Sequence, residues 1–331
     1  MLFRDGFKVF DIHGHLPYNY PFARDRHEKI VQYAKERSER MSLTWDLRTS
    51  ESDPEAANRP LIERWKDELD RYGIGGLNLL TAWTNDELAE QIAAVPDRFT
   101  GFASHPIERS DAAEELKRAV DELGLKGYKL FGPLTPIPFD DRSLAPVWTF
   151  AAERKLPVLI HFGLLGHAGG IVQHLNINPL SIFNVARQYP DIPFIIPHFG
   201  CGYYQELLQL CWSCPNVYVD TSGSNQWIRW MPYELTLETL FRKTYELIGP
   251  ERIVFGSDSL GFPRGYNYRY VQEQVRVVRD LRFSEQEIEL IFGNNARRLL
   301  DLEPSVPSTE SASESATESA ANSKLLKEVT S

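Results

Sequence analysis

Eight short apolar runs rich in β-branched residues, with helical patterns between them, set the limits on what this chain can fold into. They occupy residues 8–13, 76–81, 99–103, 127–131, 157–161, 193–198, 216–220 and 252–257. Each has the length of a strand, and the intervening segments carry helical periodicity: Leu116, Ala119, Val120 and Leu123 fall on one stripe of residues 112–123. A helix between consecutive strands is the connection a parallel sheet requires. Eight strands in strict alternation predict a closed α/β barrel, the (β/α)8 TIM barrel, rather than an open sheet. In a chain of 331 residues with 42% hydrophobic residues, residues 1–302 supply enough apolar surface for one such domain.

Two regions depart from compact βα spacing. Residues 15–72 are far longer than an ordinary βα connection and are expected to form a lid-like insertion over the barrel mouth. Arg24, Arg26, Arg37, Arg48 and Arg59 lie in it; they read as a solvated helical face, from which one or two could reach a substrate carboxylate. Residues 303–331 are dominated by Ser, Ala, Glu and Thr, a composition that predicts a disordered tail.

A net charge of −10 excludes a general binder of nucleic acid or anionic membrane, because phosphate recognition needs a basic face. No apolar run is long enough to span a bilayer, and Arg4, Asp5 and Lys8 interrupt any leader-like stretch, so a cytoplasmic location is expected. A small-molecule substrate and a homodimer are the corresponding expectations for partners. Cys201, Cys211 and Cys214 are too few for a disulfide framework, and the Cys211/Cys214 pair reads as buried thiols.

Five of the eight histidines fall at strand ends, the face on which barrels place their catalytic groups: His13, His15, His105, His161 and His198. His13 and His15 are two apart on an extended segment, so their side chains point the same way, with Asp11 on that face too. Taken alone, such a pair is more often buried and hydrogen-bonded than metal-binding. Barrel closure changes the reading, because it carries Asp258, at the end of the eighth run, to the first strand. With His161 the set becomes three imidazoles and a carboxylate, a shell for one divalent metal ion. Zn²⁺ is the first expectation, and Mn²⁺ and Fe²⁺ are also compatible.

The motifs His13-Gly-His15, Lys126-Gly-Tyr-Lys129, His161-Phe-Gly163, His198-Phe-Gly200, Asp220-Thr-Ser-Gly223, Gly256-Ser-Asp258 and the closing Asn294-Asn-Ala-Arg-Arg-Leu299 together resemble the amidohydrolase superfamily. Within it they are most similar to the amidohydrolase-related branch that includes aminocarboxymuconate-semialdehyde decarboxylase. The resemblance implies a mononuclear site with His13, His15, His161 and Asp258 as ligands and His198 contacting the metal-bound water or the substrate. Lys129 lies near the position where two-metal members carry a carbamylated lysine, and reads here as a substrate contact or a structural lysine. Arg264 is a further candidate substrate contact. His105 reads as a packed histidine, and His167 and His174 as polar loop residues.

The chemistry expected first is hydrolysis of an amide, lactone or similar acyl bond: metal-activated water attacks, Asp258 accepts its proton, and His198 stabilises the oxyanion or serves the leaving group. The alternative is non-hydrolytic decarboxylation, which needs a cation for the substrate's carboxylate, with Arg24, Arg26, Arg264 and Arg269 as candidates. A barrel that binds a ligand without catalysis is the third reading. Loop aromatics (Tyr18, Tyr20, Phe22, Trp45, Trp65, Phe262, Tyr266 and Tyr268) suit either a ring-bearing substrate or loop packing.

Overall fold

The computed structural model describes residues 2–17, 27–44, 58–81, 83–165, 173–262 and 264–304. The expectations for Arg24, Arg26, Arg48, Tyr18, Tyr20, Phe22, Trp45 and His167, and for the tail beyond Pro304, lie outside the described residues.

The fold is a TIM barrel. Its strand segments are β1 (Phe10–Gly14), β2 (Gly76–Leu79), β3 (Phe99–Gly101), β4 (Ala103–Ser104), β5 (Tyr128–Phe131), β6 (Val158–His161), β7 (Phe194–Ile196), β8 (Val217–Asp220) and β9 (Ile253–Val254). β1 to β3 form one parallel sheet and β4 to β9 another, in sequence order. β3 and β4 are the two halves of the single run expected at 99–103. Phe102 N–H bonds back to Leu79 O (2.9 Å), whereas Ala103 N–H bonds forward to Gly127 O (2.8 Å), so this stave changes partners at its midpoint. At the opposite seam, Ile12 N–H reaches Phe255 O (3.1 Å), Asp258 N–H reaches His13 O (2.8 Å) and His15 N–H reaches Ser259 O (2.8 Å). These bonds close the barrel.

The helices are α1 (Glu28–Thr44), α2 (Leu61–Tyr72), α3 (Asn85–Ala93), α4 (Ala112–Asp121), α5 (Ala145–Glu153), α6 (Phe183–Gln188), α7 (Tyr204–Ser213), α8 (Leu237–Ile248), α9 (Tyr268–Asp280), α10 (Glu285–Glu289) and α11 (Asn295–Leu299). Local chemistry sets their ends: Thr84 and Thr236 cap α3 and α8, Gly73 at φ 66° stops α2, and Ser284 and Glu287 form the expected capping box on α10. None of the described helices is long and apolar enough to cross a membrane.

Strand alternation sorts the core into two layers. Outward residues such as Leu130, Val158, Ile160, Phe194, Ile196 and Val219 pack under the helices. Inward residues Leu159, Ile195 and Val254 join Phe10, Ile12, Phe102 and α11's Ala296 in a smaller cluster. By the same alternation Lys129, His161 and Asp220 point inward, so a dry floor lies beneath polar groups at the strand ends. β1 breaks the pattern with a register shift between Asp11 and Gly14.

The buried Asn295 ties the last helix to this frame, its Nδ2 donating to Pro250 O (2.7 Å) and Ile253 O (2.8 Å). Asn295→Ala leaves both carbonyls without a donor, and a loss of about 2–3 kcal/mol is expected. A urea unfolding midpoint that moves to lower denaturant checks this; an unchanged midpoint contradicts it.

Candidate metal centre and pocket

His13 Nδ1 lies 2.6 Å from Asp220 Oδ2, and an ionised Asp220 can only accept, so that nitrogen carries the hydrogen. His15 Nδ1 lies 2.9 Å from Thr81 Oγ1, whose own hydrogen goes to Leu16 O, so His15 also donates through Nδ1. Both rings therefore present the lone pair of Nε2, and the two Nε2 atoms face each other at 3.1 Å. Asp258 Oδ1 completes the group, 3.2 Å from His15 Nε2 and 3.5 Å from His13 Nε2. Three electron donors at these distances repel one another unless a cation or a proton stands between them. Burial pushes both imidazoles below their ordinary range, which favours a cation in that place over a proton. This donor set fits a divalent metal ion.

The remaining expected residues are distributed around that group. His161 lines the same pocket, but its Nε2 donates to Leu164 O at 3.1 Å, leaving Nδ1 as the lone-pair nitrogen. It is not one of the three residues whose donor atoms lie within 4.8 Å of one another. His198 lies between His13 and His161, tilted against the first ring and edge-on to the second, with ring centroids 5.1 Å from each. Its Nδ1 donates to Ser222 O at 3.1 Å, and Trp227 Nε1–H donates to its carbonyl at 3.0 Å. The backbone is left-handed at His198 (φ 58°), Phe199 (φ 48°) and Asp258 (φ 54°), a strain typical of functional positions.

Lys129 is buried beneath the site with its Nζ 4.5 Å from the Phe131 ring centroid. Burial lowers its pKa to about 7 against the opposing pull of Asp258 and Asp220. Asp11 does not share the face of the histidine pair: its Oδ1 accepts from the backbone N–H of His13 (2.9 Å) and of Ser257 (3.0 Å), so it pins the seam instead. Arg264 donates to Tyr270 Oη at 2.9 Å and is absent from the pocket wall. Arg59 and Arg269 pair with acidic residues on their own helices or close by. The described loop aromatics pack on one another, Trp65 on Phe262 and Tyr72 on Tyr268. His105 is held by Ala112 O (3.0 Å) and the Tyr128 ring, the packed role expected for it.

Sequence reasoning did not single out the residues that orient the pair, Asp220, Ser222 and Thr81, although Asp220 and Ser222 stood in a quoted motif and Thr81 ends the second apolar run. Nor did it find the pocket wall. A cavity of ≈ 170 Å³ opens against His161, His198 and Asp258, walled by Leu164, Leu165, Trp227 and Trp230 and closed on one side by Arg37 of α1. Gly256 gives the strand ends room to converge: a Cβ there would meet His13 Cβ at 2.6 Å and Asp220 Oδ1 at 2.7 Å.

The amidohydrolase family model matches residues 10–302. Among curated proteins, γ-resorcylate decarboxylase of Rhodococcus jostii is 26% identical over 221 residues, covering 53% of this chain and 64% of that protein. The 2-amino-3-carboxymuconate-6-semialdehyde decarboxylase of Dictyostelium discoideum is 23% identical over 253 residues, covering 68% and 67%. The chain thus spans slightly less than two-thirds of the Rhodococcus relative. Among solved structures, a dihydroxybenzoic acid decarboxylase from Polaromonas sp. JS666, with bound manganese and the inhibitor 2-nitroresorcinol, superposes with a TM-score of 0.57 at 19% identity, covering 89% of this chain and 97% of that one. These relatives are decarboxylases. They overturn the expectation of hydrolysis by metal-activated water, which the ligand pattern alone had favoured.

Because Asp220 fixes the tautomer of His13, Asp220→Asn is expected to weaken divalent-metal binding about 10–100-fold. Competition titration against a chelating dye measures this, and an unaltered affinity contradicts the orientation argument.

Proposed function

The chain belongs to the amidohydrolase family, and from that premise we propose that it is a metal-dependent, non-hydrolytic decarboxylase of a small aromatic carboxylate. One observation carries the reading: His13 Nε2, His15 Nε2 and Asp258 Oδ1 converge, and Asp258, with His161 and His198, lines a cavity of ring size. At ≈ 170 Å³ it slightly exceeds the ~150 Å³ apolar cavity that takes up benzene. Apolar and indole walls with a few convergent polar groups suit a flat ring bearing oxygen substituents. The decarboxylase relatives point the same way.

We assign the metal to His13, His15 and Asp258, with His161 as the fourth donor. This ligand chemistry accepts Zn²⁺, Mn²⁺ or Fe²⁺, and the manganese in the Polaromonas relative favours Mn²⁺. When bound, the ion supplies positive charge that attracts and polarises an oxygen of the substrate. The protein's own groups then account for the proton. The carbon–carbon bond breaks with its electron pair passing to the ring carbon, that carbon gains a proton, and CO₂ leaves. His198 is the assigned donor: Nδ1–H is committed to Ser222 O, which leaves Nε2 as the ring atom through which a proton would pass to the carbon. Asp258, held ionised, balances the cation and stays out of the proton transfer. Leu164, Leu165 and Trp227 give the reacting face an apolar wall.

The test is CO₂ release and phenolic product from γ-resorcylate and related hydroxybenzoates by the Mn²⁺-loaded protein. Turnover abolished by a chelator and restored by Mn²⁺ is expected, with His198→Gln lowering kcat by roughly 10²–10⁴-fold. Turnover that persists without metal, or no CO₂ from any hydroxybenzoate, contradicts the reading.

A further inference from the structure

Helix α1 differs from the helices that pack on the barrel. Among its side chains whose burial is described, every one is exposed except Arg37, which is half-buried. Its apolar residues do not hold it down, for Ile30, Val31 and Tyr33 stand 52%, 47% and 56% exposed. Arg37 is the residue through which α1 reaches the pocket, where it shares the wall with His161, His198 and Asp258.

No carboxylate, carbonyl or ring among the described residues pairs with the Arg37 guanidinium, whereas Arg59, Arg98, Arg118 and Arg264 all have partners. Asp258, the one carboxylate among the described residues of that wall, is already turned to the histidine pair. With no partner among the described residues, the partly buried guanidinium is open to a ligand, and its planar fork matches the two oxygens of a carboxylate. Among the described lining residues it is the one arginine or lysine.

We propose that Arg37 is the specificity-determining residue of the pocket, reading a carboxylate of the ligand, and that this contact seats α1 over the mouth. The inference deepens the decarboxylase reading and rests on it for the ligand class. The carboxylate is either the one that leaves or a second acid that stays on the ring. If it is the leaving group, Arg37 stabilises the ground state that decarboxylation abolishes; if it is a retained acid, Arg37 contributes equally before and during the reaction.

Calorimetric titration of the Mn²⁺-loaded wild type, Arg37→Gln and Arg37→Lys with phenol, benzoate and isophthalate tests this. Benzoate and isophthalate carry no ring hydroxyl to feed electrons to the reacting carbon, so they bind without turnover. Arg37→Gln is expected to weaken carboxylate binding roughly 10-fold or more, with Arg37→Lys in between and phenol binding unchanged. A loss already present with benzoate identifies the single carboxylate as the group read; a loss confined to isophthalate identifies a retained acid. Amide hydrogen exchange across residues 28–44 should slow on carboxylate binding in the wild type and not in Arg37→Gln. Equal weakening of phenol and carboxylates, no weakening at all, or a wild type without preference for carboxylates overturns the proposal, and unchanged exchange in α1 overturns the seating. Arg37-dependent binding in a protein that releases no CO₂ would remove the decarboxylase reading and leave Arg37's role standing.

Discussion

Two imidazole lone pairs and a carboxylate oxygen meet inside the mouth of this barrel, and the surrounding structure is arranged to keep them there. His13 and Asp258 lie on opposite sides of the closing seam, joined by a backbone bond from Asp258 N–H to His13 O of 2.8 Å. Asp11 bridges the same seam by accepting from His13 and Ser257. Closing the barrel and assembling the donors are therefore one event, and the repulsion among donors is a cost the closed frame must bear until a cation enters. The left-handed backbone at His198 and Asp258 adds strain of about 1–3 kcal/mol per residue, tolerated because the frame over-determines it.

Burial explains why so many ionisable groups in the site are displaced from their usual ranges. Asp220 and Asp11 are each pushed up to about 7, and Lys129 is brought down to about 7, by the same loss of solvent. Each is held by a specific neighbour: Asp220 by His13 and Ser222, Asp11 by the seam, Lys129 by the Phe131 ring. The dry floor of Leu159, Ile195 and Val254 keeps this chemistry at one end of the barrel.

The barrel was legible in the sequence because strand-length apolar runs and helical stripes alternate without a break. The convergence of Asp258 on His13 and His15 was legible too, since closure follows from the strand count. What failed to show were features decided by contacts between distant segments. The stave at 99–103 splits because Phe102 and Ala103 bond to different neighbours, which no local pattern records. Asp11 left the histidine face because β1 shifts register beyond it. Arg264 looked like a ligand contact until Tyr270, six residues along, proved to be its partner. The kind of reaction was illegible for a deeper reason: the same donors serve hydrolysis and decarboxylation.

If the His13, His15 and Asp258 donors hold one cation, the purified protein carries it or takes it up. Elemental analysis of the purified protein against a His13→Ala/His15→Ala double variant addresses it directly. About one equivalent of a divalent metal in the wild type, absent from the folded double variant, is the predicted result. Metal-free wild-type protein that takes up none on supplementation, or a double variant that keeps its full complement, would contradict it.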